Sequence, residues 1–320
     1  MRRTVVRGGI AAAFLALTGC AGGSVPAVSE TPRATTTAAA TSTSTSQQSA
    51  PPQSASPSAT ASSTPAYGGK PSDLVGRWAV HADGEPATTR LIIDGSAMTV
   101  WRHCGTIGGP YAAAPSGELI VFANGFSSDC VPKNSRGSLV PWLDRATLFV
   151  VRGASSVDLL AGDGHVLAHL TPGGKPFVPS TVSASLADVP VLTAKQRSEL
   201  DAPPTAPTPA DLTPLTAESL AGSWFPVHGK QGYVTFYPSG YFQGDDGCNR
   251  GGGPWRLTAS GRLLMVGGPS TFALCGFDVP RAVMSAAALG VAGDRLVLVG
   301  ATGARIELRR GADPSPPPGN

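Results

Sequence analysis

Two stretches of this 320-residue chain carry the same residue types in the same order, and this repeat constrains the fold more than any other feature. Each copy opens with Leu-x-Gly-x-Trp, at 74–78 and at 220–224. The shared features that follow are Cys104 and Cys248, Pro110-Tyr111 and Pro254-Trp255, Ser116-Gly117 and Ser260-Gly261, the apolar runs 119–121 and 263–265, and Cys130 and Cys275. Such a repeat predicts a tandem duplication of one domain. The alternative is two unrelated β domains with chance matches.

Short strands joined by tight turns dominate both copies. In the first copy, Asp94-Gly95 separates two apolar runs, which is a strong signal for a β-hairpin. In the second copy, 234–243 and 296–308 each have the pattern of strand, turn and strand. The larger aromatic side chains fall at strand positions and are expected in a core or a barrel lining; they are Trp78, Trp101, Trp142, Trp224, Phe236, Phe242 and Trp255.

One helix is expected in each copy. In the second copy the apolar spacing predicts a helix from about Pro280 through Leu289, with Asp278 as its N-cap. The side chains predicted to face the interior are Val283, Met284 and Ala287. Between the copies, a further short helix is predicted from Thr193 to Leu200.

The N-terminus has the pattern of an export signal. Arg2, Arg3 and Arg7 precede a short apolar run at 9–17, which is too short to span a bilayer. The run ends in Leu17-Thr18-Gly19-Cys20, which resembles the lipobox of bacterial lipoproteins. That resemblance implies that Cys20 is lipidated, with acyl chains such as palmitate holding the protein to the membrane. An ordinary secretory signal with a chance cysteine is the alternative.

Composition divides the chain into segments. Residues 21–67 are almost wholly Ala, Ser, Thr, Pro, Gly and Gln, so they lack the apolar residues that a core requires and predict a disordered tether. A second Pro-rich stretch, 173–215, predicts an interdomain linker. The expected order is a signal peptide at 1–19, lipidated Cys20 and its tether at 20–67, a domain at 68–172, the linker, a domain at 216–311 and a disordered tail at 312–320.

Five cysteines in an exported chain need an explanation for the odd one, and the lipid anchor supplies it. The other four lie two to a copy, about 26 residues apart, which favours disulfides in an exported protein. Of the three possible pairings we favour Cys104–Cys130 and Cys248–Cys275, because each stays inside one copy. A zinc site is the rival, but the paired Cys-x-x-Cys or His spacings that it needs do not occur.

The second copy resembles the META domain, also called the HslJ-like domain. The residues that carry the resemblance are Leu220-x-Gly-x-Trp224, Gly247-Cys248-Asn249-Arg250 and the segment 270–275. The first copy departs from the pattern, with His103-Cys104-Gly105 in place of Gly-Cys-Asn. The resemblance implies an α+β, β-dominated fold: two small, curved antiparallel sheets, each with about one helix. It implies no shared enzymatic activity.

Candidate binding residues cluster at one predicted turn. Asp245, Asp246 and Asn249 could chelate a cation, and Arg250 with the glycines 251–253 suggests a phosphate loop. A cation site would need further oxygen ligands, and a phosphate loop would need a Gly-Lys-Ser or Gly-Lys-Thr ending. The sequence has neither here, so a tight structural turn is favoured. His165 and His169 could share a face and bind a metal, but a solvent-facing strand is favoured. An activated thiolate at Cys104 beside His103 is weighed against a disulfide, which is favoured.

These patterns predict an envelope lipoprotein with a binding or accessory role in stress or resistance. A serine nucleophile motif and a recognisable acid pair are both absent from the sequence, so we expect no catalytic residue, metal or cofactor. The net charge of +3 is too small to argue for nucleic acid. The expected partners are the membrane, through the anchor, and an envelope protein or a small ligand. The alternatives are a carrier of a small hydrophobic ligand, a hydrolase acting on the cell wall, and a structural spacer.

Overall fold

The computed structural model describes residues 67–314 apart from 129, 131–137, 154, 181, 229–231 and 268–278. The fold is α+β and β-dominated, with two curved antiparallel sheets and a few short helices among these residues. Cys20, Asp278 and the segment 270–275 lie outside the described residues. In the described ranges, every helix is too short or too polar to span a bilayer.

The first copy forms a nearly closed barrel, here called the first barrel. Its strands are β1 (Gly76–Ala82), β2 (Arg90–Ile93), β3 (Ala97–Arg102), β4 (Gly105–Ala113), β5 (Leu119–Val121), β6 (Gly125–Ser128), β7 (Leu148–Arg152), β8 (Ser156–Leu160) and β9 (Val166–Pro172), with helix α1 at Pro141–Asp144. The strand order is β5-β4-β3-β2-β1-β9-β8-β7, and β6 pairs with β4. The two ends of this order meet, because Leu119 N donates to Thr147 O and Phe149 N donates to Gly117 O.

The second copy repeats this architecture and is here called the second barrel. After α2 (Ala194–Asp201) and α3 (Ala217–Leu220), its strands are β10 (Gly222–Pro226), β11 (Tyr233–Phe236), β12 (Tyr241–Asp245), β13 (Arg250–Leu257), β14 (Leu263–Met265), β15 (Ala288–Ala292), β16 (Arg295–Val299) and β17 (Arg305–Gly311), with α4 at Val279–Met284. The order β14-β13-β12-β11-β10-β17-β16-β15 matches the first barrel strand for strand. The predicted hairpins are confirmed as β2–β3, β11–β12 and β16–β17.

The Leu-x-Gly-x-Trp pattern closes one end of each barrel. Leu74 and Leu220 are fully buried, and each carbonyl oxygen accepts a hydrogen bond from the tryptophan four residues later. The bonds are 2.8 Å from Trp78 Nε1 and 2.7 Å from Trp224 Nε1. Burial of a leucine contributes about 2 kcal/mol, and each bond satisfies an indole N–H that would otherwise be buried unpaired. The repeated pattern is therefore structural.

A short helix closes the other end of each barrel. In the first barrel, Leu143 of α1 is fully buried and Trp142 lies in the core. In the second barrel, Val283 of α4 is 1% exposed and faces the core, as predicted. Met284, predicted to face inward, is 43% exposed, so that prediction is wrong. The helix ends at Met284 rather than near Leu289, because the chain must be extended from Ala288 onward to pair with β16.

Glycines in β4 and β13 allow these strands to bend between neighbours. A Cβ atom on Gly109 would lie 2.0 Å from Phe122 O, and one on Gly253 would lie 2.0 Å from Val266 O. Both positions therefore require glycine, because any side chain would clash with backbone. The glycines 251–253 lie inside β13 (Arg250–Leu257), so the predicted turn is limited to residues 246–249 and these glycines do not form a phosphate loop.

The Pro-rich stretch between the copies packs against the first barrel. Its residues 173–180 and 182–192, here called the strap, cross the outer face of β2 and β3, where Ala187 is fully buried with Ile92 and Trp101. Trp101 lies on strand β3, as expected, but it is buried against the strap outside the barrel. Trp142 lies in the core, as expected, but in helix α1 and not in a strand. Helix α2 follows the strap, and its bounds confirm the helix predicted there.

The two barrels belong to one compact unit and contact each other directly. Ala114 and Ile120 of the first barrel form a buried cluster with Leu264 and Val266 of the second. Beside this cluster, a carboxylate oxygen of Glu118 accepts a hydrogen bond of 2.7 Å from Ala259 N. The linker thus connects barrels that are already packed together.

Candidate functional site

The barrel interiors are filled by side chains. Their largest buried members are less than 2% exposed and come from strands on every side of each barrel; they include Phe149, Leu91 and Met98 in the first and Trp224, Phe236 and Phe242 in the second. Because close packing of this kind leaves no room for a ligand, binding sites must be sought on the outer surfaces. The large clefts of the described residues indeed lie there.

The largest of these clefts is an open groove of about 770 Å³ on the first barrel, here called the histidine groove. It runs along the outer wall of β1 and β9 toward the end that α1 closes. The side chains that give it its chemistry are His81, Trp142, Arg145, His165, Val166 and His169. Val166 is 44% exposed, which gives the groove an accessible apolar contact.

A row of polar side chains crosses three strands beside this groove. His81 on β1 pairs in register with His169 on β9, which pairs in turn with Asp158 on β8. His169 Nδ1 lies 2.7 Å from Asp158 Oδ1, and Arg152 Nε donates to Asp158 Oδ2 at 2.9 Å. At the other end of the row, His81 Nε2 lies 3.1 Å from Thr171 Oγ1.

Asp158 is the anionic centre of this row. Burial raises the pKa of its carboxyl group, but the hydrogen bonds from His169 and Arg152 outweigh burial, so the pKa lies below its ordinary value. The carboxylate is therefore ionised at neutral pH and can only accept hydrogen bonds. It follows that His169 Nδ1 carries a proton, so that in the neutral ring the lone pair is on Nε2.

Glu85 fixes the floor of the groove. Its carboxylate accepts hydrogen bonds from Trp142 Nε1 at 2.8 Å, from Thr89 Oγ1 at 3.0 Å and from the guanidinium of Arg102. Its side chain is 4% exposed. Because these donors come from three different elements, Glu85 ties the helix that closes the barrel to the loop after β1 and to β3. Because its carboxylate is held by these donors, Glu85 has a structural role.

The predicted candidates at 245–250 form a hairpin turn whose polar groups bond to one another. Asp246 Oδ1 accepts hydrogen bonds from Cys248 N at 2.8 Å and Asn249 N at 2.5 Å, and Asp246 Oδ2 accepts one from Asn249 Nδ2 at 2.8 Å. Asp245 pairs with Arg250 at 2.8 Å. Burial raises the pKa of Asp246, but the bonds from Asn249 and Cys248 outweigh it and lower that pKa. This turn orders the β12–β13 connection, which supports the structural reading.

Cys104 and Cys130 are joined by a disulfide, so Cys104 is not the thiolate that His103 might activate. The ring of His103 instead packs at 4.8 Å on Phe177 of the strap. Cys248 is disulfide-bonded, and its predicted partner Cys275 lies outside the described residues. Across the described ranges, no group of three or more His, Cys, Asp or Glu side chains is placed to hold a metal ion.

Of the polar row, the sequence indicated only its central member, His169. It placed His165 and His169 on one face of a strand, but the structure puts His165 in the turn before β9, where its backbone N–H donates to Asp163. His81 and Asp158 were missed. Their positions depend on the pairing of β1 with β9 and of β9 with β8, and no local sequence pattern encodes the closure of a barrel by its first and last strands.

A smaller apolar cleft of about 280 Å³ lies between the barrels and α2. Its lining includes Leu200, Pro203, Leu264, Met265 and Met284. Its volume lies just below the range of about 300–1,000 Å³ that is usual for small-molecule sites.

Comparison with known proteins identifies no similar protein. A scan against protein-family models, a search of curated proteins and a search of solved structures each find no match. The resemblance to the META domain is therefore a hypothesis that rests on the residues quoted above.

Proposed function

We propose that this protein is a lipid-anchored binding protein of the bacterial envelope, without enzymatic activity, and that the histidine groove is its recognition surface. The observation that carries the proposal is the contrast between filled barrel interiors and a broad amphipathic groove outside them. The lipobox at Cys20 supports the anchor, and the META resemblance supports a fold without shared catalysis.

The charge around the groove favours an acidic partner segment. Arg145 and His165 contribute donors, and His81 and His169 add donors when their rings are protonated. The carboxylates of Glu85 and Asp158 are already bonded to Arg102 and Arg152, which leaves Asp83 as the exposed acid of the lining. A partner that offers carboxylates to the donors and an apolar side chain to Val166 would match both features. An extended peptide segment of another envelope protein has this chemistry.

The same bonds argue against the hydrolase. A glycoside hydrolase of the usual kind needs a pair of carboxyl groups, one of which exchanges a proton with substrate. Glu85 is held by Trp142 and Arg102, and Asp158 is held by His169 and Arg152. Asp83 is the other carboxylate among the described residues that line the groove, so a pair of uncommitted carboxyl groups is lacking there, which supports a binding role.

Photo-crosslinking in living cells tests the proposal. A photoreactive amino acid replaces Val166 in the full-length lipoprotein, and the matched control carries it at Leu186, which is 63% exposed on the strap. We expect a discrete protein adduct from position 166, absent from position 186 and reduced by Arg145→Ala. If position 166 gives no adduct, or gives the same adducts as position 186, the groove is not the recognition surface.

The apolar cleft between the barrels favours a second candidate, the carrier of a small hydrophobic ligand. Met284 is 43% exposed at its rim, and flexible methionine side chains adapt to varied apolar ligands. Native mass spectrometry of the detergent-solubilised protein checks this candidate. A carrier would retain a co-purified adduct, and Leu200→Trp, which fills the cleft, would abolish it. A protein without adduct in both forms would exclude a tightly held ligand.

A further inference from the structure

We propose that His81 and His169 together bind one divalent transition-metal ion, such as Zn²⁺ or Cu²⁺, on the outer wall of the first barrel. The inference goes beyond the proposed recognition role, because it requires neither a partner nor the anchor. It rests on the register of β1 and β9, on the hydrogen bonds that hold the two imidazoles and on their access to solvent.

The separation of the two rings suits a shared ion. His81 and His169 are direct cross-strand partners, and their ring centroids lie 6.2 Å apart. A metal ion binds an imidazole nitrogen at about 2.0–2.1 Å, so two rings that share one ion have centroids at most about 6.5 Å apart. The observed separation lies within this reach, and the tilt of 36° between the rings can be adjusted by side-chain rotation.

Each imidazole already has one nitrogen engaged, which leaves the other for a ligand. His169 Nδ1 donates to Asp158, so the neutral ring has its lone pair on Nε2. When His81 Nε2 donates to Thr171 Oγ1, its lone pair is on Nδ1. Metal-binding histidines characteristically donate their second N–H to a carboxylate or another oxygen, which fixes the tautomer and orients the ring. The carboxylate of Asp158 therefore acts as a positioning group for His169.

The surroundings permit entry of a hydrated cation. His81 is exposed, and the side chain of His169 is 45% exposed on the open groove. Asp158 brings a negative charge beside the site, although Arg152 shares it. Two protein ligands leave the remaining coordination positions to water, because the described residues hold no third ligand in place. Imidazole suits zinc, copper and nickel, whereas calcium and magnesium prefer oxygen.

Calorimetric titration of the full-length protein in detergent with ZnCl₂ tests the site. We expect one Zn²⁺ per chain at micromolar affinity, weakened at least tenfold by His81→Ala or His169→Ala. Asp158→Asn should weaken binding less, because the amide still accepts from His169 Nδ1 but carries no charge. MgCl₂ in place of ZnCl₂ should give no binding. His228→Ala, at an exposed histidine of the second barrel, is the matched control and should leave binding unchanged.

Electron paramagnetic resonance with Cu²⁺ gives a second, independent readout. Coupling to two imidazole nitrogens is expected in the unaltered protein and to one in either single histidine variant. Zinc binding that survives both single substitutions, or a copper spectrum that does not change with them, would overturn the proposal. Failure here would leave the recognition role of the groove untouched, because the crosslinking at position 166 is performed without added metal.

Discussion

Ile120 of the first barrel and Leu264 of the second pack in one buried cluster, although they are equivalent residues of the two copies. Each is the middle residue of the three-residue strand that follows the Ser-Gly turn, β5 and β14. Phe122 and Val266, the residue after each strand, are likewise equivalent and belong to the same cluster. The two barrels therefore join through the same surface, as in an interface with local twofold symmetry.

This relationship predicts a large effect of Leu264→Asp. The substitution places a carboxylate in an apolar cluster where Leu264 is 1% exposed, and it should cost at least about 3 kcal/mol or separate the barrels. Urea unfolding should then show two transitions, one for each barrel. The control is Leu186→Asp, at a leucine that is 63% exposed. A single transition with an unchanged midpoint in Leu264→Asp would contradict the interface.

The hydrogen bond of the Trp224 indole predicts that replacing Trp224 lowers the free energy of unfolding more than replacing Trp101, which is equally buried. Trp224→Phe removes the donor to Leu220 O and leaves that carbonyl buried, which should cost about 1–3 kcal/mol. Trp101 is equally buried, but its Nε1 has no hydrogen-bond partner among the described residues. Trp101→Phe loses a similar volume without losing a bond, so it should cost less. Urea unfolding compares the two, and equal losses would show that the hydrogen bond contributes little.

The sequence predicted features that depend on neighbouring residues. Asp94 defines the first hairpin because its carboxylate accepts from the backbone N–H groups of Ser96 and Ala97, a local turn that residue type alone signals. Thr193 begins α2 through a capping box with Gln196, which is also local.

Features that depend on tertiary pairing escaped prediction. The glycines of β13 were assigned to a turn, but they lie in a strand. Gly253 is required there because the backbone oxygen of Val266 lies against it, a contact that exists only in the folded barrel. The helix predicted from Pro280 to Leu289 was too long, because the pairing of β15 with β16 determines where α4 ends. The row from His81 to Asp158 exists only once β1, β9 and β8 are aligned. The candidate site was therefore largely unpredictable, whereas the class of fold was not.

The lowered pKa of Asp158 predicts a dependence of stability on pH. A carboxyl group whose pKa is lower in the folded state stabilises the fold above its unfolded pKa of about 3.9, and this contribution is lost as the pH falls through the folded pKa. Asp158→Asn should therefore reduce the free energy of unfolding by about 1–2 kcal/mol at pH 7, and by much less at pH 2.

Urea unfolding at both pH values measures this difference. The matched control is Asp188→Asn, because the side chain of Asp188 is 70% exposed and its nearest cation, Lys175, lies 4.0 Å away. That variant should match the unaltered protein at both pH values. An Asp158→Asn deficit of the same size at pH 2 would show that the loss comes from packing and not from the charge.

Glu85 should be the most sensitive carboxylate of the first barrel. Glu85→Gln keeps the shape of the side chain but replaces one acceptor oxygen with an N–H group, which opposes the donors of Trp142 and Arg102. Breaking a buried charged contact of this kind should cost about 3 kcal/mol. It should also speed hydrogen exchange at the Trp142 indole, measured by NMR, because α1 is no longer tied to the loop after β1. Glu218→Gln, at an exposed glutamate of α3, should change neither quantity. If Glu85→Gln lowered stability without faster exchange at Trp142, the carboxylate would stabilise the barrel in some way other than by holding its closing helix.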